Sequence, residues 1–305
     1  MAMTWDDSTV QHRYIKLDDV TLHTVVAGDG PLVVLLHGFP EFWYSWRYQI
    51  PALVKAGYRV AVPDMRGYNL SSKPEGIEHY GPAKLTGDVK QLIEAFGEKR
   101  AIVAGHDWGA NVAWMFAMRY PEHLDRLIIC NVPHPVVFAK HLYTWRQGVM
   151  KSWYVFFFQL PSLPEMSLRS GDFKSLRSLL RKDPVHKESF SDEDIERYVE
   201  AMKQPGALTA AINYYRAVFR VSKDERRQLV RPIQAPTILI WGMKDRFLGP
   251  ELVDTPASLV PNLRIERIED SSHWVQCDAH VRVNELMLDF LKLTPPSWIP
   301  KDSTN

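Results

Sequence analysis

The spacing of hydrophobic positions predicts alternating strands and helices through the first part of the chain. Short apolar runs, each ending at a polar or glycine-containing loop, lie at Leu32–Leu36 and at residues 59–62, 100–105 and 126–130. Between them, residues 82–96 and 112–120 have the three- and four-residue apolar spacing of amphipathic helices. Residues 13–17 and Thr21–Ala27 are predicted to pair as a hairpin. Strands that alternate with helices indicate an α/β fold with a mostly parallel sheet and helices on both faces.

This alternation stops near residue 133. From 133 to 231 the sequence is helical, rich in aromatic residues and interrupted by prolines, with no convincing buried strand. Strand patterns resume at residues 236–241 and Leu263–Ile268, and residues 282–293 are predicted to form the last helix. We therefore predict an α/β core of residues 1–132 and 232–305 and a helical cap of residues 133–231. The tail at 296–305 is expected to be poorly ordered.

Composition narrows the choice of partners. The 305 residues are 46% hydrophobic and 24% charged with a net charge of +1, which favours neither nucleic acid nor a membrane as a partner. The first residues lack the pattern of a signal peptide, and no apolar run approaches the roughly 18 residues of a transmembrane helix. Cys130 and Cys277 form neither a disulfide framework nor a metal cluster. We expect a cytoplasmic protein with no cofactor and no metal.

The sequence GHDWG at residues 105–109 has the spacing of a nucleophile elbow, G-x-S-x-G, with aspartate in place of serine. It follows a predicted strand and precedes a predicted helix, which is the context that an elbow requires. A carboxylate that attacks a carbonyl gives a labile anhydride, whereas attack on a saturated carbon gives an ordinary ester. We therefore predict that Asp107 is a nucleophile toward saturated carbon.

Two further residues complete a triad in the order nucleophile, acid, histidine. Asp245 follows the strand at 236–241, and His273 follows the last predicted strand. Open α/β sheets place their active groups at the carboxyl ends of strands. We predict that His273 activates water and that Asp245 orients it. Asp270 and Asp278 remain alternatives for the acid.

The sequence HGFP at residues 37–40 follows the strand Leu32–Leu36 and predicts an oxyanion hole. One donor is the backbone N–H of Phe39, and the other is the N–H of Trp108, the residue after the nucleophile. Pro40 has no N–H to donate, and a cis bond before it is one way to turn the loop sharply.

Five motifs together resemble the soluble epoxide hydrolases of the α/β-hydrolase superfamily. They are HGFP at 37–40, DMRGY at 64–68, GHDWG at 105–109, GMKD at 242–245 and SHW at 272–274. The match runs from about residue 12 to 293 and departs from the family pattern at Asn69, where glycine is usual. The resemblance implies an α/β-hydrolase fold with an inserted helical cap, and it places the family's paired tyrosines on Tyr154 and Tyr215. A helix turns Tyr214 about 100° from Tyr215, so only one of these two faces the pocket.

The resemblance implies an epoxide hydrolase in which Asp107 attacks the ring while Tyr154 and Tyr215 hydrogen-bond its oxygen. His273 and Asp245 then drive hydrolysis of the ester to a vicinal diol. The expected partners are a small apolar epoxide and water, and the chain is expected to be a monomer or a homodimer. The predicted pocket residues are His37, Pro40, Trp43, Trp153, Phe157 and Trp274, with Phe42, Trp145, Phe156 and Phe219 as further aromatic candidates.

Two alternatives remain. A haloalkane dehalogenase-type hydrolase uses the same nucleophile and base, with Trp108 as a halide donor, but does not need two phenols. A non-catalytic ligand-binding protein of the same fold is expected to have lost Asp107, Asp245 or His273, and all three are present.

Overall fold

The computed structural model of the protein describes residues 10–222 and 230–292. Its strands are β1 Gln11–Lys16, β2 Thr21–Ala27, β3 Leu32–Leu36, β4 Arg59–Pro63, β5 Ala101–His106, β6 Leu124–Cys130, β7 Thr237–Gly242 and β8 Leu263–Ile268. They form one sheet in the order β1-β2-β4-β3-β5-β6-β7-β8. β2 is antiparallel to β1 and β4, and the remaining neighbours are parallel. The predicted mostly parallel sheet is confirmed.

The central strands are mostly apolar and are buried along their whole length because helices cover both faces of the sheet. Every residue of β3, β5, β6 and β7 is buried, whereas most of the edge strand β1 is exposed. The register pairs Leu36 with Gly105, His106 with Cys130 and Gly242 with Ile268. The carboxyl ends of β3, β5, β6, β7 and β8 therefore meet along one edge, where open α/β sheets carry their sites.

The helices are α1 Gln49–Lys55, α2 Pro82–Ala95, α3 Trp108–Arg119, α4 Pro135–His141, α5 Trp153–Phe157, α6 Leu163–Lys182, α7 Asp192–Lys203, α8 Ala207–Val218, α9 Val275–Asp278 and α10 His280–Lys292. Single 3₁₀ turns lie at Trp43–Trp46, Ile77–Tyr80, Pro121–His123, Lys187–Ser189 and Pro250–Leu252, and a π-helical turn lies at Trp145–Val149. α3 packs on β3, β5 and β6 and so supports the edge of the sheet that carries the elbow.

Between β6 and β7 the described residues contain the helices α4 to α8 and no strand. We call residues 135–218 the helical insertion. Helix α6 is kinked at residues 170–173, where the backbone leaves helical geometry. Helix α7 begins with a capping box, in which Ser191 and Asp194 satisfy each other's backbone N–H groups. A division into core and cap at 132/133 and 231/232 remains a proposal.

Two helices begin earlier than the hydrophobic pattern predicts. α3 starts at Trp108, before the helical spacing that is predicted from residue 110 after the elbow and from 112 in the amphipathic pattern. Its first three residues are all buried and therefore show no amphipathic spacing. The last helix starts at His280 instead of at 282. Its predicted final residue at 293, the tail at 296–305 and the first nine residues lie outside the described residues.

Candidate active site

Asp107 lies in the sharp turn between β5 and α3. Its φ of +48° and ψ of −121° are rare for a residue with a side chain, as expected of a strained elbow. The flanking glycines are required by close packing. A Cβ at Gly105 would lie 2.4 Å from the carbonyl oxygen of Gly109, and one at Gly109 would lie 2.1 Å from that of Leu36. The turn therefore exists only with glycine on both sides of the aspartate.

The loop after β3 holds one oxygen of this aspartate. The N–H of Phe39 donates to Asp107 Oδ1 over 2.7 Å, and the Phe39–Pro40 peptide is cis. Gly38 allows the approach, since a Cβ there would lie 2.3 Å from Asp107 Cβ. The N–H of Trp108, the other predicted donor, belongs to the first residue of α3. The loop is thus placed to receive negative charge on Oδ1.

The loops after β7 and β8 bring a histidine to the other oxygen. His273 Nε2 lies 3.6 Å from Asp107 Oδ2, and His273 Nδ1 lies 2.7 Å from Asp245 Oδ2. Asp245 Oδ1 accepts the N–H groups of Phe247 and Leu248 at 2.7 and 2.9 Å. The carboxylate is therefore fixed, and it holds the imidazole with one nitrogen toward Asp107.

The two alternative acids are engaged elsewhere. Asp270 is exposed and forms an ion pair with Lys244 at 2.5 Å. Asp278 is buried and accepts the N–H groups of Ser272 and His186 at 2.7 and 2.8 Å, which joins the His273 loop to the helical insertion. The geometry favours Asp245 as the partner of His273.

Asn131 is a residue of this site that sequence reasoning missed. It follows β6 with a φ of +48°, and its side-chain N–H donates to Asp245 Oδ2 over 2.8 Å. Its Oδ1 accepts the N–H of Gly242 over 2.7 Å. The available signal was its position directly after a buried strand, on the same edge as the other active groups.

A buried pair behind the elbow was also missed. His106 Nδ1 lies 2.8 Å from the carboxylate of Glu41, and His106 Nε2 lies 2.8 Å from the carbonyl oxygen of His273. Glu41 also accepts the N–H of Gly38 over 3.0 Å and an N–H of Gln276 over 2.8 Å. This pair therefore connects the oxyanion loop, the elbow and the loop of His273. Its signal was a charged residue directly after the HGFP motif.

The triad is predominantly ionic. Burial alone would raise the pKa of Asp107, but the hydrogen bond and charge of His273 outweigh it and lower that pKa. The pKa of Asp245 is lowered against its burial by the same histidine and by Asn131. Burial would lower the pKa of His273, yet the two carboxylates raise it well above its usual value of 6.5. His273 is thus a strong base while both carboxylates are charged.

Two cavities, of 290 and 310 Å³, meet at Asp107. Asp107, Tyr154 from α5 and Tyr215 from α8 line both of them. The two tyrosine rings lie 6.0 Å apart, and burial raises the pKa of both phenols, so both stay protonated at neutral pH. Two proton donors and one carboxylate therefore share a largely apolar space. The neighbouring Tyr214 points away and donates to the carbonyl oxygen of Arg66 over 2.7 Å.

Four of the six predicted pocket residues line the larger cavity, namely Pro40, Trp153, Phe157 and Trp274. His37 is fully buried, and its Nε2 accepts the N–H of Met65 over 2.9 Å. It therefore connects the loop after β3 to the loop after β4. Trp43 is buried against the rings of Phe42 and Tyr44. Both lie outside the lining of the two cavities because their side chains turn into the core.

The remaining aromatic candidates fall in different places. Phe219 lines the smaller cavity, Phe42 is in the core, and Phe156 and Trp145 are exposed. Asn69 has a φ of +40°, and its side chain donates to Asp64 over 2.8 Å, so asparagine replaces glycine in that turn without disturbing the site.

Within residues 10–222 and 230–292, no group of three or more His, Cys, Asp or Glu side chains is arranged to hold a metal ion. Among the same residues, no helix combines the length and apolar composition needed to cross a bilayer. Both cysteines are buried and free, and burial raises the pKa of the Cys277 thiol to about 12.

A family model for the α/β hydrolase fold matches residues 31–279. The chain belongs to the α/β-hydrolase fold family. It is 45% identical to the AB hydrolase superfamily protein YfhM of Bacillus subtilis (strain 168) over 93% of this chain and 98% of that protein. It is 42% identical to epoxide hydrolase 1 of Caenorhabditis elegans over 94% of this chain and 70% of that protein.

Among solved structures, the Bacillus megaterium epoxide hydrolase in complex with an inhibitor superposes on this α/β hydrolase with a TM-score of 0.81. The two are 31% identical over 92% of this chain and 100% of that one. The predicted fold class and the predicted membership in the hydrolases of this family are confirmed. The roles of individual residues, the oligomeric state and the cytoplasmic location stay predictions.

Proposed function

We propose that this α/β hydrolase converts epoxides to vicinal diols through an ester on Asp107. The observation that carries the proposal is that Asp107, Tyr154 and Tyr215 together line two largely apolar cavities. An epoxide needs a nucleophile at carbon and a hydrogen-bond donor at oxygen, and these residues supply both. The relatives named epoxide hydrolases support the same reaction.

In the first step, one oxygen of Asp107 attacks a ring carbon and the carbon–oxygen bond of the ring breaks. Asp107 Oδ1 is held by the N–H of Phe39, which leaves Oδ2 to attack. The ring oxygen leaves as an alkoxide that the phenols of Tyr154 and Tyr215 both stabilise by hydrogen bonds. One of the two phenols gives the alkoxide its proton and becomes a phenolate. A halide leaving group does not need such donors, because it is far less basic than an alkoxide.

In the second step, His273 takes a proton from water, and the hydroxide adds to the ester carbonyl of Asp107. The N–H groups of Phe39 and Trp108 stabilise the oxyanion, which collapses to the Asp107 carboxylate and releases the diol. The proton that His273 took from water then replaces the one that the phenol lost in the first step. Formation of the ester makes His273 easier to deprotonate, as the second step requires. It removes the charge of Asp107, one of the two carboxylates that raise the pKa of His273, so this pKa falls when the imidazole must be neutral.

The test is a single turnover of excess enzyme in ¹⁸O-labelled water. We expect mostly unlabelled diol, with the label in the peptide that contains Asp107, because the added oxygen comes from the carboxylate. His273→Gln should accumulate an adduct of one substrate mass, and Asp107→Ala should form none. Fully labelled diol, or an adduct of equal yield on Asp107→Ala, would exclude the ester. Halide release from haloalkanes, followed in parallel, tests the dehalogenase alternative.

A further inference from the structure

Exposed apolar side chains are concentrated in one segment of the helical insertion. Of the thirteen exposed large hydrophobic side chains among the described residues, nine lie between positions 143 and 166. We call the exposed side chains of this segment the apolar face. Its most exposed members, between 49% and 74% accessible, are Tyr143, Trp145, Val149, Met150, Trp153, Met166 and Leu163. Exposed apolar side chains concentrated in one segment in this way favour a binding surface over ordinary surface composition.

Helix α5 shows why this face needs a partner. All its residues, Trp153–Phe157, are apolar or aromatic. Tyr154 and Val155 face the smaller cavity, whereas Trp153 and Phe156 are 58% and 39% exposed. A helix that is apolar on every side is normally buried all round. The outer side of α5 is therefore built for contact with an apolar surface.

Between residues 126 and 164, Lys and Arg occur without any Asp or Glu. Lys140, Arg146 and Lys151 lie in that interval. The Arg146 side chain is 72% exposed, with Nε 3.6 Å from Glu251, and Lys151 donates to the carbonyl oxygen of Asp245. Glu251 approaches this stretch of chain at Arg146. Tryptophan and tyrosine rings beside cations are typical of side chains at the boundary between water and anionic lipid.

The apolar face is continuous with both cavities. The smaller cavity extends to Tyr143, whose ring lies 6.3 Å from that of Phe156, and the larger extends to Trp153. A protein seated on this face would cover both cavities at these residues. A lipid surface in the same place would instead supply apolar molecules to them.

We propose that the apolar face binds peripherally to bilayers containing anionic lipid, and that the substrate enters the cavities from the bilayer. The substrate route rests on the proposed function, whereas the lipid binding does not. The inference departs from the expectation that a membrane is not a partner, because the net charge of +1 is a sum over the whole chain, whereas residues 126–164 carry cations and no acid.

The first test is sedimentation of the full chain with vesicles of phosphatidylcholine, alone or with about 30% phosphatidylglycerol. We expect binding to the mixed vesicles, weaker binding to the neutral ones, and weakening by salt. The double variant Trp145→Ser/Met150→Ser should bind roughly tenfold more weakly, since it removes two side chains from the apolar contact. These two residues lie outside the lining of both cavities.

The matched control is Tyr14→Ser/Val281→Ser, which removes two side chains that are each 62% exposed but lie outside the apolar face. It should bind vesicles like the wild type. Lys140→Glu/Arg146→Glu should lose the preference for anionic lipid. Equal binding by the two serine variants, or no vesicle binding by the wild type, overturns the proposal. A wild-type dimer that Trp145→Ser/Met150→Ser converts to monomer assigns the face to a second copy and also overturns it.

The second test compares a water-soluble epoxide with an apolar epoxide dissolved in the vesicles. Trp145→Ser/Met150→Ser should hydrolyse the soluble epoxide at the wild-type rate and the vesicle-borne epoxide roughly tenfold more slowly. Equal loss on both substrates contradicts the route from the bilayer. Vesicle binding without hydrolysis of either epoxide refutes the proposed function and leaves the lipid-binding face standing.

Discussion

Two adjacent tyrosines in α8 face different surroundings, one in the cavities and one in the core. We therefore expect one of them to affect the reaction and the other to affect only stability. Tyr215 lines both cavities beside Asp107, whereas Tyr214 is buried against Tyr68 and Tyr80 and donates to the Arg66 carbonyl. The helix alone imposes the divergence, because successive side chains are rotated by about 100°.

Each of Tyr154→Phe and Tyr215→Phe should slow ester formation by roughly 10- to 1000-fold, if one donor is worth about 1.4–4 kcal/mol in the transition state. The double variant should be nearly inactive on epoxides. Rapid-quench measurement of the Asp107 adduct in the His273→Gln background reports this step alone.

Tyr214→Phe is the matched control. It should leave ester formation unchanged while lowering the free energy of unfolding by about 1–3 kcal/mol, since it strands a buried carbonyl. A double tyrosine variant that opened epoxides at the wild-type rate would remove the phenols from the reaction.

At the level of elements, the site depends on how closely two loops approach. The loop after β3 touches the elbow after β5 through Gly38, and Glu41 and His106 hold the two together. These loops meet because β3 and β5 are neighbours in the sheet. The position of Asp107 is therefore a property of strand pairing as well as of its own turn.

Gly38→Ala tests this contact. The new Cβ would lie 2.4 Å from Asp107 Oδ1, so the carboxylate must shift and lose the Phe39 N–H. Single-turnover ester formation should fall by roughly 100-fold, as expected for a misplacement of about 1 Å. Gly87→Ala is the matched control, because a Cβ at Gly87, inside α2, would approach no atom outside the adjacent helix backbone more closely than the Gln91 side chain, at 4.0 Å. This variant should keep full activity and add about 0.5–1 kcal/mol to the free energy of unfolding. If Gly38→Ala formed the ester at the wild-type rate, the loop after β3 would have moved to accommodate the new Cβ while Asp107 kept its position, which would contradict the prediction.

At the scale of the whole molecule, the triad is an ionic cluster that exists only when distant segments fold together. Asp107, Asp245 and His273 come from loops after three different strands, and Asp278 ties the last of these to the helical insertion. The charges attract one another only in the folded state, so their pKa shifts are linked to the free energy of unfolding.

The sign of this linkage predicts a pH dependence. His273 has a folded pKa above its usual 6.5, so its contribution is fully present below pH 6.5 and is lost as pH rises through the folded value. The stability difference between wild type and His273→Gln should therefore shrink with rising pH, as urea unfolding between about pH 6 and 10 would show. Asp107→Ala should lower the His273 pKa in an NMR titration. A pH-independent stability difference would mean that the histidine is not charged in the folded free enzyme.

The sequence by itself determined the strands, the turn at Asp107 and the placement of Asp245 and His273 after the last two strands. Each of these depends on local order along the chain, namely apolar runs, a glycine-flanked turn and residues that directly follow strands. The bounds of β2, β3 and β8 agree with the apolar pattern for the same reason. The family resemblance added Tyr154 and Tyr215, which no spacing rule identifies.

Only the tertiary structure decided what depends on contacts between distant segments. Asn131 hydrogen-bonds Asp245, and Glu41 hydrogen-bonds His106, in each case between segments that follow or end neighbouring strands. The residues next to Asn131 and Glu41 in the sequence do not indicate these partners. Trp43 and Trp153 are equally aromatic in the sequence, yet packing buries the first in the core and exposes the second beside a cavity. Burial is set by what the rest of the chain places against a side chain, and so it is a property of the fold.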